Sequence, residues 1–332
     1  MGDLHVDVDV EAMPGDLGSR VDPDVPTVRS FAKYHGTGND FVMVEDPDDH
    51  IRLSPQLIAA LCDRHFGVGA DGLIRVTAGR GAARAGLDDQ AGRADFFMDY
   101  HNADGGPAEM CGNGIRCLGK LAYERGLTKK AELDVATRGG LKHIVLDVHE
   151  GEVRSVTVDM GPPAFSLQEI PMAGSPEDTF LGQPFEWEGG AFTASAVSMG
   201  NPHLVLFVDR DPRGLDVARI GPVLEHDPRF PNRTNVEFVA PTPDGIRVRV
   251  WERGVGETMA CGTGACASLV ASHLAGITAR RGKVHFPGGA VEVEWLPDGP
   301  VIMTGPAVRV YEGQVEVDGL LAAWSAAREA SS

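Results

Sequence analysis

A short motif, Cys-Gly-x-Gly, occurs twice in this chain, about 150 residues apart, and each copy is followed by a segment of helical periodicity. The copies are EMCGNGIRC at 109–117 and TMACGTGACA at 258–267. Segments of strand character precede and follow each copy, so the order strands, helix, strands occurs twice along the chain. This duplication predicts an α+β fold of two similar halves, each with one helix that begins at the motif.

The rest of the chain divides around these halves. Its 332 residues suit two domains, or one elaborated one, since domains typically run ~100–200 residues. The N-terminal stretch, rich in acidic residues, Pro and Gly, is predicted to be a disordered tail, and TAGRGAARAGLDDQAGR, which lacks apolar periodicity, a disordered loop inserted between two strands. The predicted divisions are the tail 1–29, the N-terminal half 30–152 with the inserted loop 77–93 and a final strand 306–317 that returns to it, the C-terminal half 153–305, and a C-terminal helix and tail 318–332.

Composition excludes several classes of partner. Against 48 Asp and Glu stand 30 Lys and Arg, a formal charge of −18, which would repel the phosphate backbone of nucleic acid. No apolar run approaches the ~18 residues of a membrane-spanning helix, and the first residues lack the basic start and apolar middle of a secretory signal. We therefore expect a cytoplasmic protein without a nucleic-acid or membrane partner. Its five cysteines, an odd number, are expected to be thiols.

Local signals predict further elements near the motifs. The segment SFAKYHGTGNDFVMVED predicts two strands, one ending at Tyr34 and one starting at Asp40, joined by a Gly-rich turn. Leu53–His65 predicts a helix, with Ser54 as its N-cap and Pro55 at its first position. The Gly-rich turn between the two strands is a candidate position for functional residues.

Cysteine at the start of a helix has a specific chemical use. A helix N-terminus carries unpaired N–H groups and a partial positive charge, which lower the pKa of a thiol and attract anions. Cys111 and Cys261 each precede a Gly-x-Gly turn, and the N–H groups of Gly112-Asn113 and Gly262-Thr263 could hold one carboxylate from two sides. One thiolate could then remove a proton from the adjacent carbon while the opposite thiol returns a proton to the other face. The pattern therefore predicts stereoinversion at that carbon.

Other uses of cysteine fit the pattern less well. A single copy of the motif would favour ordinary packing, but two copies in corresponding places of two halves favour catalysis. Structural zinc sites prefer cysteine pairs about two to four residues apart, closer than Cys111 to Cys117 or Cys261 to Cys266. No metal is therefore expected, and Cys62, Cys117 and Cys266 are predicted to be packing residues.

Six segments of the chain resemble, in order, the signature segments of the diaminopimelate epimerases. They are HGTGNDFV at 35–42, GVGADGL at 67–73, YHNADGGPAEMCGNGIRC at 100–117, SMGNPHLV at 198–205, RTNVEFV at 233–239 and ERGVGETMACGTGACA at 252–267. The resemblance implies a mixed or antiparallel sheet wrapped around the central helix of each half, with the site in the cleft between them. It also implies a homodimer that epimerises LL-2,6-diaminopimelate to the meso form without a cofactor, in lysine and peptidoglycan precursor biosynthesis.

The resemblance further assigns roles to individual residues. Cys111 and Cys261 would be the acid–base pair, with His203 assisting one thiol and Glu252 the other. The residues that would bind substrate are Asn39, Asn102, Gly112, Asn113, Asn201, Asn235, Arg253, Gly262 and Thr263. A guanidinium suits the distal carboxylate of diaminopimelate, and amide or carboxylate oxygens suit its ammonium. Some family members carry a polar side chain where this chain has Gly72. The contact made by that side chain must here come from the backbone, water or another residue.

Two other functions are compatible with parts of this pattern. Proline and hydroxyproline racemases share the fold and the two-cysteine logic, but they tend to have His where this chain has Asn113, and a monocarboxylate would not require Arg253 and several Asn. A binding protein could retain the cleft without the chemistry, but both thiols, His203 and Glu252 argue against it. A pyridoxal phosphate enzyme would need a lysine for a Schiff base, and the lysines nearest the motifs do not resemble one. No cofactor is therefore expected.

Overall fold

The structure, a computed structural model, describes residues 30–297 and 299–330. The predicted tail 1–29 and the last two residues of the predicted C-terminal segment lie outside the described residues. The α-helices are α1 (Pro55–Cys62), α2 (Asp88–Ala91), α3 (Gly112–Glu124), α4 (Val217–Glu225), α5 (Gly262–Leu274) and α6 (Val317–Glu329). The strands are β1 (Ser30–Gly36), β2 (Asn39–Glu45), β3 (Gly72–Ala78), β4 (Phe96–Asn102), β5 (Glu132–Ala136), β6 (Lys142–His149), β7 (Glu152–Asp159), β8 (Gln183–Trp187), β9 (Gly190–Ser198), β10 (Pro202–Phe207), β11 (Asn235–Thr242), β12 (Gly245–Glu252), β13 (Gly256–Thr258), β14 (Arg281–Phe286), β15 (Gly289–Trp295), β16 (Val301–Gly305) and β17 (Val308–Gln314).

Strand pairing repeats one pattern twice. One row runs β17-β1-β2-β3-β4-β5-β6-β7, and the other runs β8-β9-β10-β11-β12-β14-β15-β16. In both rows the successive pairs are antiparallel, antiparallel, parallel, antiparallel, parallel, antiparallel and antiparallel. In each row the chain leaves the fifth strand through its cysteine motif into a helix, α3 or α5, and then enters the sixth strand. The α+β fold and the duplication predicted from the sequence are confirmed.

The two rows join along one antiparallel pair, β7 with β16. The predicted boundary between residues 152 and 153 falls at the start of β7, which pairs with β6 on its other side. β17 lies near the end of the chain but pairs with β1, at the far edge of the first row. How the chain divides into two halves by residue number stays a prediction.

The central helices α3 and α5 are buried on nearly all sides. Their buried apolar side chains include Ile115, Leu118 and Leu121 in α3 and Ala265, Leu269 and Val270 in α5. Each large side chain of this kind stabilises the fold by ~1.5–3 kcal/mol. Gly119 allows close packing of the sheet on α3, since an added Cβ would lie 2.8 Å from Cδ1 of Ile144, whose side chain would have to shift. The packing fixes both helix N-termini.

The predicted helix after the second strand is confirmed as α1. The Ser54 hydroxyl accepts a hydrogen bond from the N–H of Leu57 at 3.1 Å, and Pro55 occupies the first turn. α6 packs against α1 and buries Val317 and Leu320. Both helices lie outside the site described below.

The prediction of a disordered loop at 77–93 is wrong. This segment completes β3, forms a 3₁₀ helix at Gly79–Ala85 and continues into α2. Ala82 is fully buried in a small apolar cluster, and the buried side chain of Gln90 bonds both the N–H and the carbonyl of Thr137. Partners elsewhere in the chain order this segment, and local apolar periodicity does not reveal them.

Helix α4 is absent from the sequence-based predictions, because Pro222 interrupts its helical pattern. Its last residue, Glu225, accepts hydrogen bonds from Nε1 of Trp251 at 2.7 Å and from the N–H of Gly254 at 2.8 Å. α4 therefore holds the turn that carries Arg253.

Candidate active site

The two cysteine motifs are in direct contact. α3 and α5 begin at Gly112 and Gly262, with Cys111 and Cys261 in the N-cap positions, which confirms both predicted helix starts. A Cβ on Gly262 would lie 3.1 Å from the Cα of Gly112, so the two N-termini touch through their backbones. Glycine permits this approach because it has no side chain. The partial positive charges of two helices therefore converge beside both thiols.

Cys111 is partly exposed and lies among hydrogen-bond partners. Its thiol donates to Oδ1 of Asn39 at 3.4 Å. Burial raises the pKa of this thiol to about 11, and Glu252 acts in the same direction, while the nearby backbone N–H groups of Gly114 and Asn113 and the Arg116 guanidinium lower it. Desolvation thus disfavours the thiolate form of Cys111, whereas a nearby cation and a helix N-terminus favour it.

Cys261 is buried, and its surroundings differ from those of Cys111. Its Sγ accepts from the N–H of Gly264 at 3.4 Å and lies 3.5 Å from Oγ1 of Thr263. Burial, followed by the negative charges of Glu252 and Glu237, raises the pKa of this thiol well above its ordinary value. The protonated thiol is therefore the favoured form of Cys261.

Glu252 brings to the thiols a carboxyl group that changes ionisation near neutral pH. Its Oε1 accepts a hydrogen bond from the hydroxyl of Thr258, and the carboxyl group also bonds the Cys261 thiol. Burial raises the pKa of Glu252 to about 7, and these two hydrogen bonds limit the rise. A group in this range can accept a thiol proton and return it.

His203 is fully buried on β10 and lies in a chain of polar contacts. Its Nδ1 is 2.7 Å from Oε1 of Glu237, and its Nε2 is 3.0 Å from Oδ1 of Asn201. Nδ2 of Asn201 donates in turn to Oγ1 of Thr263 at 3.4 Å, and Thr263 contacts Cys261. His203 is thereby connected to the second thiol through two intervening side chains.

A cavity of about 500 Å³ opens next to this arrangement. Of the residues predicted to bind substrate, Asn102, Asn201, Arg253 and Thr263 line it. Arg138, Lys142 and Glu109 also reach its wall. The lining offers guanidinium and ammonium groups for carboxylates together with amide and carboxylate oxygens for ammonium groups, which suits a zwitterion with two polar ends.

Three other asparagines predicted to bind substrate have amide groups engaged within the protein. Nδ2 of Asn39 donates to Oδ2 of Asp71 at 2.8 Å, and its Oδ1 accepts from Asn113 at 3.1 Å. Oδ1 of Asn235 accepts from the N–H of Arg253 at 2.9 Å. These side chains hold the surroundings of the first thiol and the turn of Arg253. Their direct contact with substrate stays a prediction.

Tyr100 fills the space beside Gly72. A Cβ on Gly72 would lie 2.6 Å from the carbonyl oxygen of His101 and 2.7 Å from Cε2 of Tyr100. A side chain at position 72 would therefore clash with its neighbours in this structure, and the phenol hydroxyl of Tyr100 lies 3.4 Å from the same point. Burial, then the neighbouring Cys111 and Glu252, raises the pKa of Tyr100.

Sequence reasoning missed Glu237, Thr258, Arg116 and Tyr100, although all four lie inside the matched segments. The signal available was a charged residue within a buried run: Glu237 in the strand NVEFV and Arg116 in the central helix. Such residues are rarely buried without a partner, and each therefore marks a site worth testing.

Within residues 30–297 and 299–330, no helix combines the length and the apolarity needed to cross a membrane. The same residues contain no group of three or more His, Cys, Asp or Glu arranged to hold a metal ion.

Comparison with known sequences gives a consistent result. A sequence model of the family described as diaminopimelate epimerase matches residues 31–166 and 195–310. A diaminopimelate epimerase from Pelotomaculum thermopropionicum is 47% identical over 86% of this chain and 98% of its own length. One from Leptospira biflexa is 43% identical over 87% and 99%, and one from Synechococcus elongatus is 44% identical over 86% and 98%.

Similar solved structures confirm the fold. A probable proline racemase from Agrobacterium radiobacter superposes with a TM-score of 0.63 at 16% identity, covering 87% of this chain and 93% of its own. A phenazine biosynthesis protein from Bacillus anthracis gives 0.59 at 18% identity, covering 87% and 99%. At such identities the likeness concerns the fold alone.

Proposed function

The chain belongs to the diaminopimelate epimerase family, and we propose on that premise that Cys111 and Cys261 interconvert LL- and meso-2,6-diaminopimelate as an acid–base pair, without a cofactor. The observation that carries the mechanism is the contact between Gly112 and Gly262, which brings two N-cap cysteines to one place. The enzyme is an isomerase of lysine and peptidoglycan precursor biosynthesis, and we propose a cytoplasmic location because its substrate is a biosynthetic intermediate.

One proton is removed and one is supplied in each turnover. A thiolate on one face takes the α-proton, and the electron pair left on carbon is delocalised toward the carboxylate. The thiol on the opposite face then donates its proton to that carbon, which inverts the centre. The two sulfurs exchange protonation states, and exchange with solvent restores them before the next turnover.

Stabilisation of the carbanion is the largest energetic demand, because the α-proton of an amino acid is very weakly acidic. The N-termini of α3 and α5 both face the same point, so the N–H groups of Gly112-Asn113 and Gly262-Thr263 are suited to bind the carboxylate on which charge accumulates. Donors fixed in a site with little water act strongly, since the protein does not reorganise to form them.

Glu252 and His203 were expected to assist one thiol each, but both connect to Cys261 in this structure, and we propose that both act on proton transfer at this thiol. Glu252 bonds Cys261 and has a pKa of about 7, so it can exchange the thiol proton during the cycle. His203 reaches the same thiol through Asn201 and Thr263. We assign Glu252 direct contact with Cys261, and we assign His203 a positioning role through Asn201.

Recognition of the distal end distinguishes diaminopimelate from a monocarboxylate. Arg253, Asn102 and Asn201 line the cavity beside the thiols. A guanidinium binds a carboxylate through two parallel hydrogen bonds, and amide oxygens accept from an ammonium. A proline-type substrate would leave these groups unpaired, which disfavours it.

The test is incubation of reduced, chelator-treated protein with LL-diaminopimelate in D₂O, following stereoisomers and α-deuterium together. Meso product that carries solvent deuterium, formed without added cofactor, is the expected result. Absence of both product and exchange in folded, reduced protein would contradict the proposal. Proline and hydroxyproline would then be tested in the same way.

We also propose that the enzyme is a homodimer. In the described part of the chain β17 pairs with β1 alone, so its outer edge is open, and Val308, Val310 and Tyr311 on it are 42%, 54% and 45% exposed. An open apolar edge strand is a common association surface. Sedimentation equilibrium tests this, and a monomer at micromolar concentration would contradict it.

A further inference from the structure

The side chain of Arg116, on α3, is fully buried without a carboxylate partner. It donates to the carbonyl of Gly112 at 3.0 Å, Oδ1 of Asn113 at 3.0 Å, the carbonyl of Pro306 at 3.2 Å and Oγ1 of Thr37 at 3.3 Å. All these acceptors are neutral. Within residues 30–297 and 299–330, the ionisable groups whose negative charge would stabilise the guanidinium are the thiols of Cys111, Cys117 and Cys266.

Another buried arginine, Arg75, has the carboxylate partners that usually accompany a buried cation. The guanidinium of Arg75 lies 3.0 Å from Asp46, 2.8 Å from Asp49 and 2.8 Å from Asp99. A buried cation without such partners is costly, and a neutral side chain of similar size would fill the space of Arg116 at lower cost. Packing alone therefore does not explain why position 116 is charged.

Two glycines make room for this cation. A Cβ on Gly36, at the end of β1, would lie 3.0 Å from Nη2 of Arg116, and a Cβ on Gly305, at the end of β16, would lie 3.1 Å from its Nε. The two positions lie on different strands, β1 and β16. Backbone has been brought close to the guanidinium on two sides, which fixes its position.

The guanidinium also begins a chain of side-chain amides that ends at a carboxylate. Nδ2 of Asn113, whose Oδ1 accepts from Arg116, donates to Oδ1 of Asn39 at 3.1 Å, and Nδ2 of Asn39 donates to Asp71 at 2.8 Å. Arginine can only donate and an ionised carboxylate can only accept, so the orientation of both amides is determined. The Cys111 thiol donates to the same Oδ1 of Asn39 at 3.4 Å.

We propose that Arg116 is a positioning residue for the epimerisation: it orients Asn113 and Asn39 so that Oδ1 of Asn39 accepts from the Cys111 thiol and holds the sulfur in place, and its charge behind the N-terminus of α3 separately favours the Cys111 thiolate. This inference rests on the proposed role of Cys111 and extends it to a residue that does not touch substrate. Among the described residues, Arg116 favours the Cys111 thiolate and Glu252 opposes it, and Tyr100 and Cys117 are the titratable groups whose own ionisation is coupled to Cys111.

The test compares Arg116→Gln with Arg116→Lys. Glutamine retains N–H donors but no charge, whereas lysine retains the charge. The rate of Cys111 alkylation by iodoacetamide is measured against pH and localised by fragment-ion mass spectrometry. We expect the midpoint of the pH dependence of alkylation to rise in Arg116→Gln, by up to about one pH unit. Its kcat should fall in proportion, by up to about tenfold, with KM little changed, because the thiolate fraction falls about tenfold per unit. Arg116→Lys should restore most of both.

Leu121→Ala is the matched control, a buried truncation on the same helix. It should lower stability and leave the alkylation midpoint unchanged. If Arg116→Gln does not fold, Arg116→Met, a neutral side chain of similar length, should raise the midpoint in the same direction. A folded Arg116→Gln or Arg116→Met with the parental midpoint overturns the proposal. Alkylation does not depend on the identity of the substrate, so failure of the parent protein to epimerise diaminopimelate would count against the proposed function instead.

Discussion

The N-termini of α3 and α5 are alike in backbone and different in charge. Each begins with an N-cap cysteine followed by Gly-x-Gly, after a row of strands paired in the same pattern. Around Cys111 burial raises the pKa of the thiol to about 11, Glu252 acts in the same direction, and the Arg116 cation opposes them. Around Cys261 the carboxylates of Glu252 and Glu237 add to burial, and the pKa rises well above the ordinary value.

This difference teaches how a duplicated fold can perform a reaction that is not symmetric at any one moment. Stereoinversion needs two groups in equivalent positions, but at the start of each turnover one must be a base and the other an acid. The repeated strand pattern supplies the equivalent positions. Residues that are not repeated, such as Arg116 and Glu252, bias the ionisation of each thiol.

The largest expected effect follows from removing either thiol. Cys111→Ala and Cys261→Ala should each lower epimerisation by about 10³-fold or more, because each removes one of two proton-transfer groups. In D₂O each variant should still exchange α-deuterium into one stereoisomer, opposite for the two variants, since the remaining thiol acts on one face. Chiral chromatography with mass spectrometry measures this. Substantial epimerisation by either variant would contradict the two-base mechanism.

Neutralising the carboxylate beside Cys261 should have a smaller effect, about 100-fold on kcat. In Glu252→Gln the thiol loses its proton acceptor, so turnover falls. At the same time Cys261 should be alkylated at lower pH, because a negative charge that opposes its thiolate is gone. Glu257→Gln, which alters an exposed carboxylate paired with Arg249, is the control. An unchanged midpoint for Cys261 would show that Glu252 does not control this thiol.

The raised pKa of Glu252 also predicts a pH dependence of stability. Since its pKa is about 7 in the folded state and 4.5 as a reference, the protonated carboxyl contributes stability that is complete below about pH 4.5 and lost by about pH 7. The free energy of unfolding of the parent, relative to Glu252→Gln, should therefore fall by about 2–3 kcal/mol across that interval. Urea unfolding at both pH values measures it, and parallel curves for the two proteins would refute the assignment.

The smallest effect concerns the contact between the two helix starts. A Cβ on Gly262 meets backbone, 3.1 Å from the Cα of Gly112, whereas a Cβ on Gly112 meets first the flexible end of Met303, at 2.8 Å. We expect Gly262→Ala to destabilise the protein by about 1–3 kcal/mol and Gly112→Ala by less. Thermal unfolding compares them. Equal losses of stability in the two variants would contradict this expectation.

Much of the fold followed from local pattern, and the failures have a common cause. Nearby residues determine the strands, the N-terminal cap of α1 and the starts of α3 and α5. For α1 these residues are Ser54 and Pro55. The segment 77–93 is ordered by contacts such as Gln90 with Thr137, and α4 contains Pro222. In both places long-range packing overrides the local signal.

The candidate site divides in the same way. The sequence by itself determined the two thiols, their helix starts and the glycines beside them, because a repeated motif at a fixed position in a helix has a local physical meaning. The tertiary structure decided which charges surround each thiol, which asparagines face the cavity and that Tyr100 occupies the space beside Gly72. Those properties depend on distances between residues far apart in the chain, and burial then sets the strength of each charge.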